Sequence, residues 1–264
     1  MSVTTLRQAA VDILLTADPD TKVSKTYDVA AAWRRGESDI GTATAPERPA
    51  RPARPELRGP GEMPKRSTGP KGRVALVHAL AHIELNAVDL AWDVIARFGD
   101  ADLPRAFLDD WVDVAEEEAE HYAALAAHLP TLGINYGDLP AHDGLWQAAM
   151  ATAHDLAARM AIIPMTLEAR GLETTPPTCA KLRHAGADDT AAILDTIYTD
   201  EIKHLAVGVR WFEHLCAQRG HEPTSTFAAL LKECFIGPVK PPFNMEARTQ
   251  AGMRAAYLAP WMPE

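Results

Sequence analysis

Cysteine is scarce: Cys179, Cys216 and Cys234 are the only three in 264 residues. They form neither a C-x-x-C pair nor an even framework, which argues against a disulfide-built scaffold and for free thiols in a reducing compartment. Positive charge is in deficit, with 26 Lys and Arg against 36 Asp and Glu and a net charge of −10. A globally basic nucleic-acid binder is therefore disfavoured, although a local basic patch is not. No uninterrupted apolar run approaches the ~18 residues of a membrane span. The N-terminus lacks the basic start and long apolar stretch of a secretory signal. No glycine-rich nucleotide loop stands in the chain, so electrons for any redox chemistry are expected from a separate donor protein. These absences leave the expectation of a soluble, cytoplasmic protein with no membrane contact. Its length suits one large domain with appendages.

What is present falls into segments. Residues 1–45 carry helical apolar spacing over 4–17 and 26–36, broken at Asp18-Pro19-Asp20 and Gly36. Residues 46–71 form a basic proline-rich arm, with proline at nearly every third position from Pro46 to Pro55. That spacing favours an extended course without a core of its own, either a strap along the next domain or a flexible linker. The arm's cations either meet a nucleic-acid backbone or pair with the protein's own acids, such as Asp109, Asp110 and Asp113.

From residue 72 to 219 the chain is alanine- and leucine-rich with helical periodicity and almost no β-branched alternation. Four long helices are expected at about 73–98, 105–129, 144–171 and 188–219. Pro164 should kink the third, and Thr175-Pro176-Pro177 should follow its end. Residues 220–264 form a C-terminal extension, and shorter helices are expected at 177–185, 224–235 and 245–257. The fold class is all-α, most simply a four-helix bundle with extra N- and C-terminal helices.

Within these helices several glutamates occupy the apolar stripe. Glu84 has Leu80, Ala81, Ala87 and Val88 on its face, and Glu118 has Val114, Ala115 and Tyr122. Glu168 shares a face with Pro164 and Met165, and Glu201 with Ile197, Tyr198 and Leu205. An unpaired buried carboxylate costs many kcal/mol, so each needs a compensating charge. No Arg or Lys falls on those faces within one turn, which makes buried salt bridges a poor explanation.

Glu118 and Glu201 each precede a histidine by three residues, His121 and His204, and at that spacing both side chains can reach one centre. Alone the pair is weak, because a chain with this many glutamates and ten histidines produces it by chance. The joint spacing is stronger. Glu84 precedes Glu118 by 34 residues and Glu168 precedes Glu201 by 33, so the unit of one Glu followed by Glu-x-x-His occurs twice. In the first hairpin both glutamates stand about 14 residues, or roughly 21 Å of helix, from the Gly99–Pro104 turn and hence at one level. One Glu from each of two helices and Glu-x-x-His from each of the other two is the ligand set of ferritin-like dimetal proteins.

Four carboxylates and two imidazoles suit two divalent first-row metal ions, most simply iron, with manganese as the other fit. Glu84 and His121 are assigned to one ion, Glu168 and His204 to the other, with Glu118 and Glu201 bridging. Glu117 and Asp200, each directly before a Glu-x-x-His, are candidates to hydrogen-bond the free nitrogen of a ligand histidine. Tyr198 is a candidate catalytic residue through its hydroxyl, or a plain core tyrosine. His78 and His82 are turned away from Glu84 and are expected to hydrogen-bond across a helix interface or to the arm.

The stretches GRVALVHALAHIELNAVDLAWD, FLDDWVDVAEEEAEHYAAL, YGDLPAHDGLW, RMAIIPMTLEARGLE, IYTDEIKHLAVGVRWF and KPPFNMEAR resemble an uncharacterised bacterial family of ferritin-like proteins, a domain of unknown function. The resemblance runs from about residue 46 to 257 and takes in the arm. It implies a ferritin-like bundle with a carboxylate-bridged dimetal site at the six positions above, and it implies no particular reaction. A more distant similarity of fold and ligand pattern links it to a ferritin-like tRNA hydroxylase. The expected function is an O2-activating oxidoreductase or hydroxylase acting on a small or carrier-borne substrate. A tRNA-modifying hydroxylase and a non-catalytic metal-handling protein are the alternatives. The arm and terminal helices fit a storage shell poorly, so a monomer or dimer is expected.

Overall fold

Asp18 and Pro19 set the start of the second helix. The Asp18 carboxylate accepts the Thr21 amide at 2.9 Å, and Pro19 occupies the first helical position, where its missing N–H costs nothing. The helix expected over 26–36 therefore begins seven residues earlier, because Asp-Pro is a helix start here and not only a break. The computed structural model describes residues 4–99 and 103–262. These are all-α, and the isolated bridge between Leu57 and Ala141 is the one extended pairing among them. Chain contacts divide the protein into two compact units, Met1–Trp146 and Gln147–Glu264.

The first unit is built on α1 (Leu6–Leu14), α2 (Pro19–Arg34), α3 (Pro70–Phe98) and α4 (Arg105–His128). Helices α3 and α4 pack along each other, with α1 laid on α3 and α2 on α4. Helix α3 is long and apolar enough to cross a membrane by length and composition. However, 72% of its apolar window is buried inside the protein, as in the core helix of a soluble protein.

The arm between α2 and α3 runs as a strap on this unit. Ala50 donates its amide to Leu14, and Leu57 and Ala141 form the bridge that ties its middle down. Two of its arginines are engaged with this unit: Arg48 pairs with Asp143, and Arg51 reaches Asn86 at 2.5 Å and Asp89 at 3.1 Å. The acids expected to receive them are engaged elsewhere. Asp113 takes Arg34 at 2.6 Å, and Asp109 accepts the Trp33 indole N–H at 2.8 Å. The strap follows α3, whereas those acids lie on the side of α4 that meets α2.

The second unit begins within α5 (Gly144–Ala151) and contains α6 (Leu156–Ile162), α7 (Gly171–His184), α8 (Asp188–Arg219), α9 (Pro223–Cys234) and α10 (Met245–Gln250). Helix α8 packs against α6, α7 and α10, and α9 against α6. The single helix expected over 144–171 does not form. The Thr152 hydroxyl donates to the Ala149 carbonyl at 3.0 Å, and Asp155 caps a new helix by accepting the Ala157 amide at 3.2 Å. The buried Arg159 guanidinium then fastens the break, donating to Thr152 Oγ1 and to the Ala149 carbonyl.

Beyond α6 the chain does not stop at Gly171. It winds through a π turn at Ile163–Leu167 and a 3-10 turn at Glu168–Arg170, then continues as α7 through Pro176 and Pro177. Prolines inside a helix free the carbonyls four residues earlier, and these must find other donors. Within the π turn the Thr166 hydroxyl donates to the Ala161 carbonyl, five residues back, at 2.7 Å. The Leu172 carbonyl, freed by Pro176, accepts Asn244 Nδ2 at 3.0 Å. Arg248, buried on α10, reaches the Ala169 carbonyl at 3.3 Å and pairs with Glu173 at 2.7 Å. The C-terminal extension thus supplies the donors that let the irregular stretch persist.

Candidate metal centre

Helices α3 and α4 bring three donors together. Glu84, Glu118 and His121 are 4%, 1% and 3% exposed, so bulk water stabilises none of them. His121 Nδ1 stands 3.3 Å from Glu118 Oε2 and 3.7 Å from Glu84 Oε2. Burial raises the Glu84 carboxyl to about 7, with His121 opposing and Glu118 adding to the rise. Burial alone would lower the His121 ring, but hydrogen bonds to Glu118 and Glu84 overcome it and push its pKa up to about 12. One ring nitrogen therefore faces two carboxylates that are held close in spite of their mutual repulsion.

This arrangement fits a metal ion. Oxygen and nitrogen ligands stand about 2.0–2.2 Å from a first-row divalent ion, hence about 3–3.5 Å from one another at right or tetrahedral angles. The two His121 distances are close to that range. Among the described residues, the donor atoms of Glu84, Glu118 and His121 lie close enough together to hold a metal ion.

The second unit carries its own Glu-x-x-His pair. Glu201 and His204 are buried on one face of α8, with His204 Nδ1 4.0 Å from Glu201 Oε1. Glu168 opens the 3-10 turn after the π turn and is half-buried. A π turn widens the helix by one residue, and such turns recur at functional sites. Gly208, one turn past His204 on the same side of α8, lies directly against Pro164. The face that presents Glu201 and His204 is thus the face that holds the π turn leading to Glu168.

Other candidates sit less centrally. Glu117 and Asp200 are half-buried, and Asp200 accepts Lys203 Nζ at 2.6 Å. The half-buried Tyr198 hydroxyl accepts Asn244 Nδ2 at 3.0 Å, which links it to the C-terminal extension. His78 Nε2 accepts the Gly137 amide at 2.9 Å, and His82 Nδ1 meets the Tyr136 hydroxyl at 2.8 Å. Sequence reasoning missed the supports Asn244, Arg248 and Glu173, and it missed Asp89. The segment Lys240–Arg248 stood out as a motif, but nothing in one sequence shows which carbonyls it serves.

The chain belongs to the family described as "Protein of unknown function (DUF455)", which matches residues 15–259. A relative from Haemophilus influenzae, described as "Uncharacterized protein", is 43% identical over 207 residues, covering 76% of this chain and 72% of the relative. No solved structure matches.

Proposed function

We propose that this member of the family is a ferritin-like protein with a dinuclear centre of iron, or of manganese and iron. In this reading the centre serves an O2-dependent oxidation of a small or carrier-borne substrate. The observation that carries the proposal is the convergence of buried Glu84 and Glu118 on one nitrogen of His121. The recurrence of the same donor types at Glu168, Glu201 and His204 extends it. Each unit contributes one lone Glu and one Glu-x-x-His, the inventory of ferritin-like dimetal proteins.

Glu84, Glu118, His121, Glu168, Glu201 and His204 would be the residues that hold the ions. When bound, such ions supply Lewis acidity and one-electron redox chemistry toward O2. The chain's part is to fix its donors before metal arrives and to keep bulk water away from them. Four carboxylates against two divalent ions leave a nearly neutral centre, which suits burial. Arg48 and Arg51 are engaged with Asp143 and Asp89, which takes two of the arm's cations from the tRNA-modifying alternative. Electrons would come from a separate donor protein.

The test is the reaction of the reduced, metal-loaded protein with O2. The protein should consume O2 faster than free ferrous ion at the same concentration, and Glu118→Ala should remove the difference. Equal rates for wild type and free ion would move the protein to the non-catalytic, metal-handling reading.

A further inference from the structure

Ala75, Ala79 and Ile83 of α3 follow one another at four-residue steps and so share one stripe of the helix. This stripe lines a cavity of about 150 Å³ in the first unit, whose other walls come from residues 60–66 of the strap and 139–145. A cavity of about this volume stays dry when its walls are apolar, and it takes a benzene-sized molecule.

The histidines around it lend it little polarity. His78 Nε2 accepts the Gly137 amide at 2.9 Å, and His82 Nδ1 meets the Tyr136 hydroxyl at 2.8 Å. The other two nitrogens, His78 Nδ1 and His82 Nε2, lie sealed inside the protein, out of reach of any molecule in the cavity. Both rings therefore offer it only carbon. Asn86 is committed as well, its Oδ1 to Arg51 at 2.5 Å and its Nδ2 to the His82 carbonyl at 2.6 Å. His142 Nδ1 accepts the Gly144 amide at 3.3 Å, which leaves Nε2 as its one open nitrogen. No acidic side chain lines the cavity, and Arg66 is exposed, so its charge stays in water.

The covering strap is tied at both ends and unbonded to its surroundings between them. On one side Ala141 donates to the Glu56 carbonyl at 3.0 Å and accepts the Arg58 amide at 2.8 Å; on the other Ser67 donates to the Gly72 carbonyl at 3.2 Å. Residues 59–66 bond only among themselves, with the Gly59 amide on the Glu62 carboxylate at 3.0 Å and the Met63 amide on the Pro60 carbonyl at 3.4 Å. Among the described residues, no hydrogen bond or ion pair holds them to α3 or to residues 139–145. Met63 and Pro64 are half-buried between the exposed Glu62 and Lys65, and both line the cavity.

We propose that this cavity binds a small, neutral, apolar molecule of about six to eight heavy atoms, with residues 59–66 as its lid. The walls exclude an ion, because a charge moved inside would lose its water and find no counter-charge. They accept a ring or a branched chain, lying on Ala75, Ala79 and Ile83 beneath Met63 and Pro64. A bound molecule adds apolar contact to a lid that packing alone holds down, so occupancy and closure favour each other. The proposal does not rest on the metal reading, because none of Glu84, Glu118 and His121 lines the cavity.

The probe is benzene, titrated into the full chain as purified and followed by ligand-observed NMR, with benzoate and benzylamine as charged controls. Benzene should bind below about 10 mM, the range expected for so small a ligand. Both charged analogues should bind at least about tenfold more weakly. Bound benzene should also slow tryptic cleavage after Lys65 and Arg66 several-fold. Ala79→Leu, which fills the cavity, should abolish binding and protection together. If that variant does not fold, Met63→Ala with Pro64→Ala trims the lid, leaves α3 unchanged and should weaken binding several-fold. No benzene binding at about 10 mM overturns the proposal. So do charged analogues that bind as tightly as benzene, unchanged affinity in the folded variants, or cleavage that benzene leaves unaltered.

Discussion

Gly208 of α8 faces Pro164 so closely that a Cβ at 208 would stand 2.7 Å from the Pro164 Cβ. Two features that each weaken a helix, a buried glycine and an internal proline, meet at one contact. The glycine lets α8 approach the ring, and the ring sets the π turn just before Glu168.

Gly208→Ala therefore tests the link between packing and site. At an open helical position the change would stabilise by about 1 kcal/mol. Here overpacking against a ring with no freedom to move should win, with a net loss of roughly 1–2 kcal/mol. Urea unfolding reads the sign, and a stabilised variant would show that the contact is not tight. Metal capacity should fall with stability, since Glu168 moves with the turn.

Arg248 and Glu173 form a buried ion pair, each side chain 3% exposed. Removing one partner strands the other, at a cost of about 3–5 kcal/mol, whereas replacing both with apolar side chains is often neutral. Arg248→Met should be strongly destabilising, and Arg248→Met with Glu173→Met should recover most of the loss. Chemical denaturation of the two variants decides, and equal losses in both would refute the pairing.

Asp89 is fully buried between Lys22 of α2 and Arg51 of the strap. The same reasoning predicts a loss of about 3–5 kcal/mol for Asp89→Ala, because Lys22 is then left as a buried cation. Limited proteolysis should also cut the strap near Arg51 faster in that variant. An unchanged cleavage rate would mean that the strap is held by its backbone contacts alone.

Glu222 caps α9 by accepting the Thr224 amide at 3.0 Å and the Ser225 amide at 2.7 Å. These bonds to the ionised form hold its carboxyl down at about 2. A depressed carboxyl stabilises the fold above its unfolded value of about 4.3, and the benefit is lost as pH falls toward 2. NMR titration should find Glu222 near 2, with the Thr224 and Ser225 amide shifts following it. A value near 4.3 would mean that the cap does not form.

Much of the fold was legible because three long helices follow a clean 3.6-residue period. Glu84, Glu118 and His121 were legible because apolar neighbours surround each and the turn at Gly99 sets their level. The third helix was misread for a physical reason. Proline ends a helix unless other donors take up the freed carbonyls, and here Asn244 takes that of Leu172, about seventy residues further along the chain. The strap's acidic partners were missed for a similar reason. Asp89 reads as an ordinary helical acid until its fully buried position and its two cations are known.

The central claim is that the buried carboxylates and imidazoles form a ligand set for two metal ions. Metal content per chain, measured on protein purified from its native source, tests it most directly. The account predicts about two iron ions, or one manganese and one iron, falling to one or none in Glu118→Ala with the fold intact. Protein that carries no first-row metal, or zinc alone, and that takes up no iron when reconstituted, would contradict it.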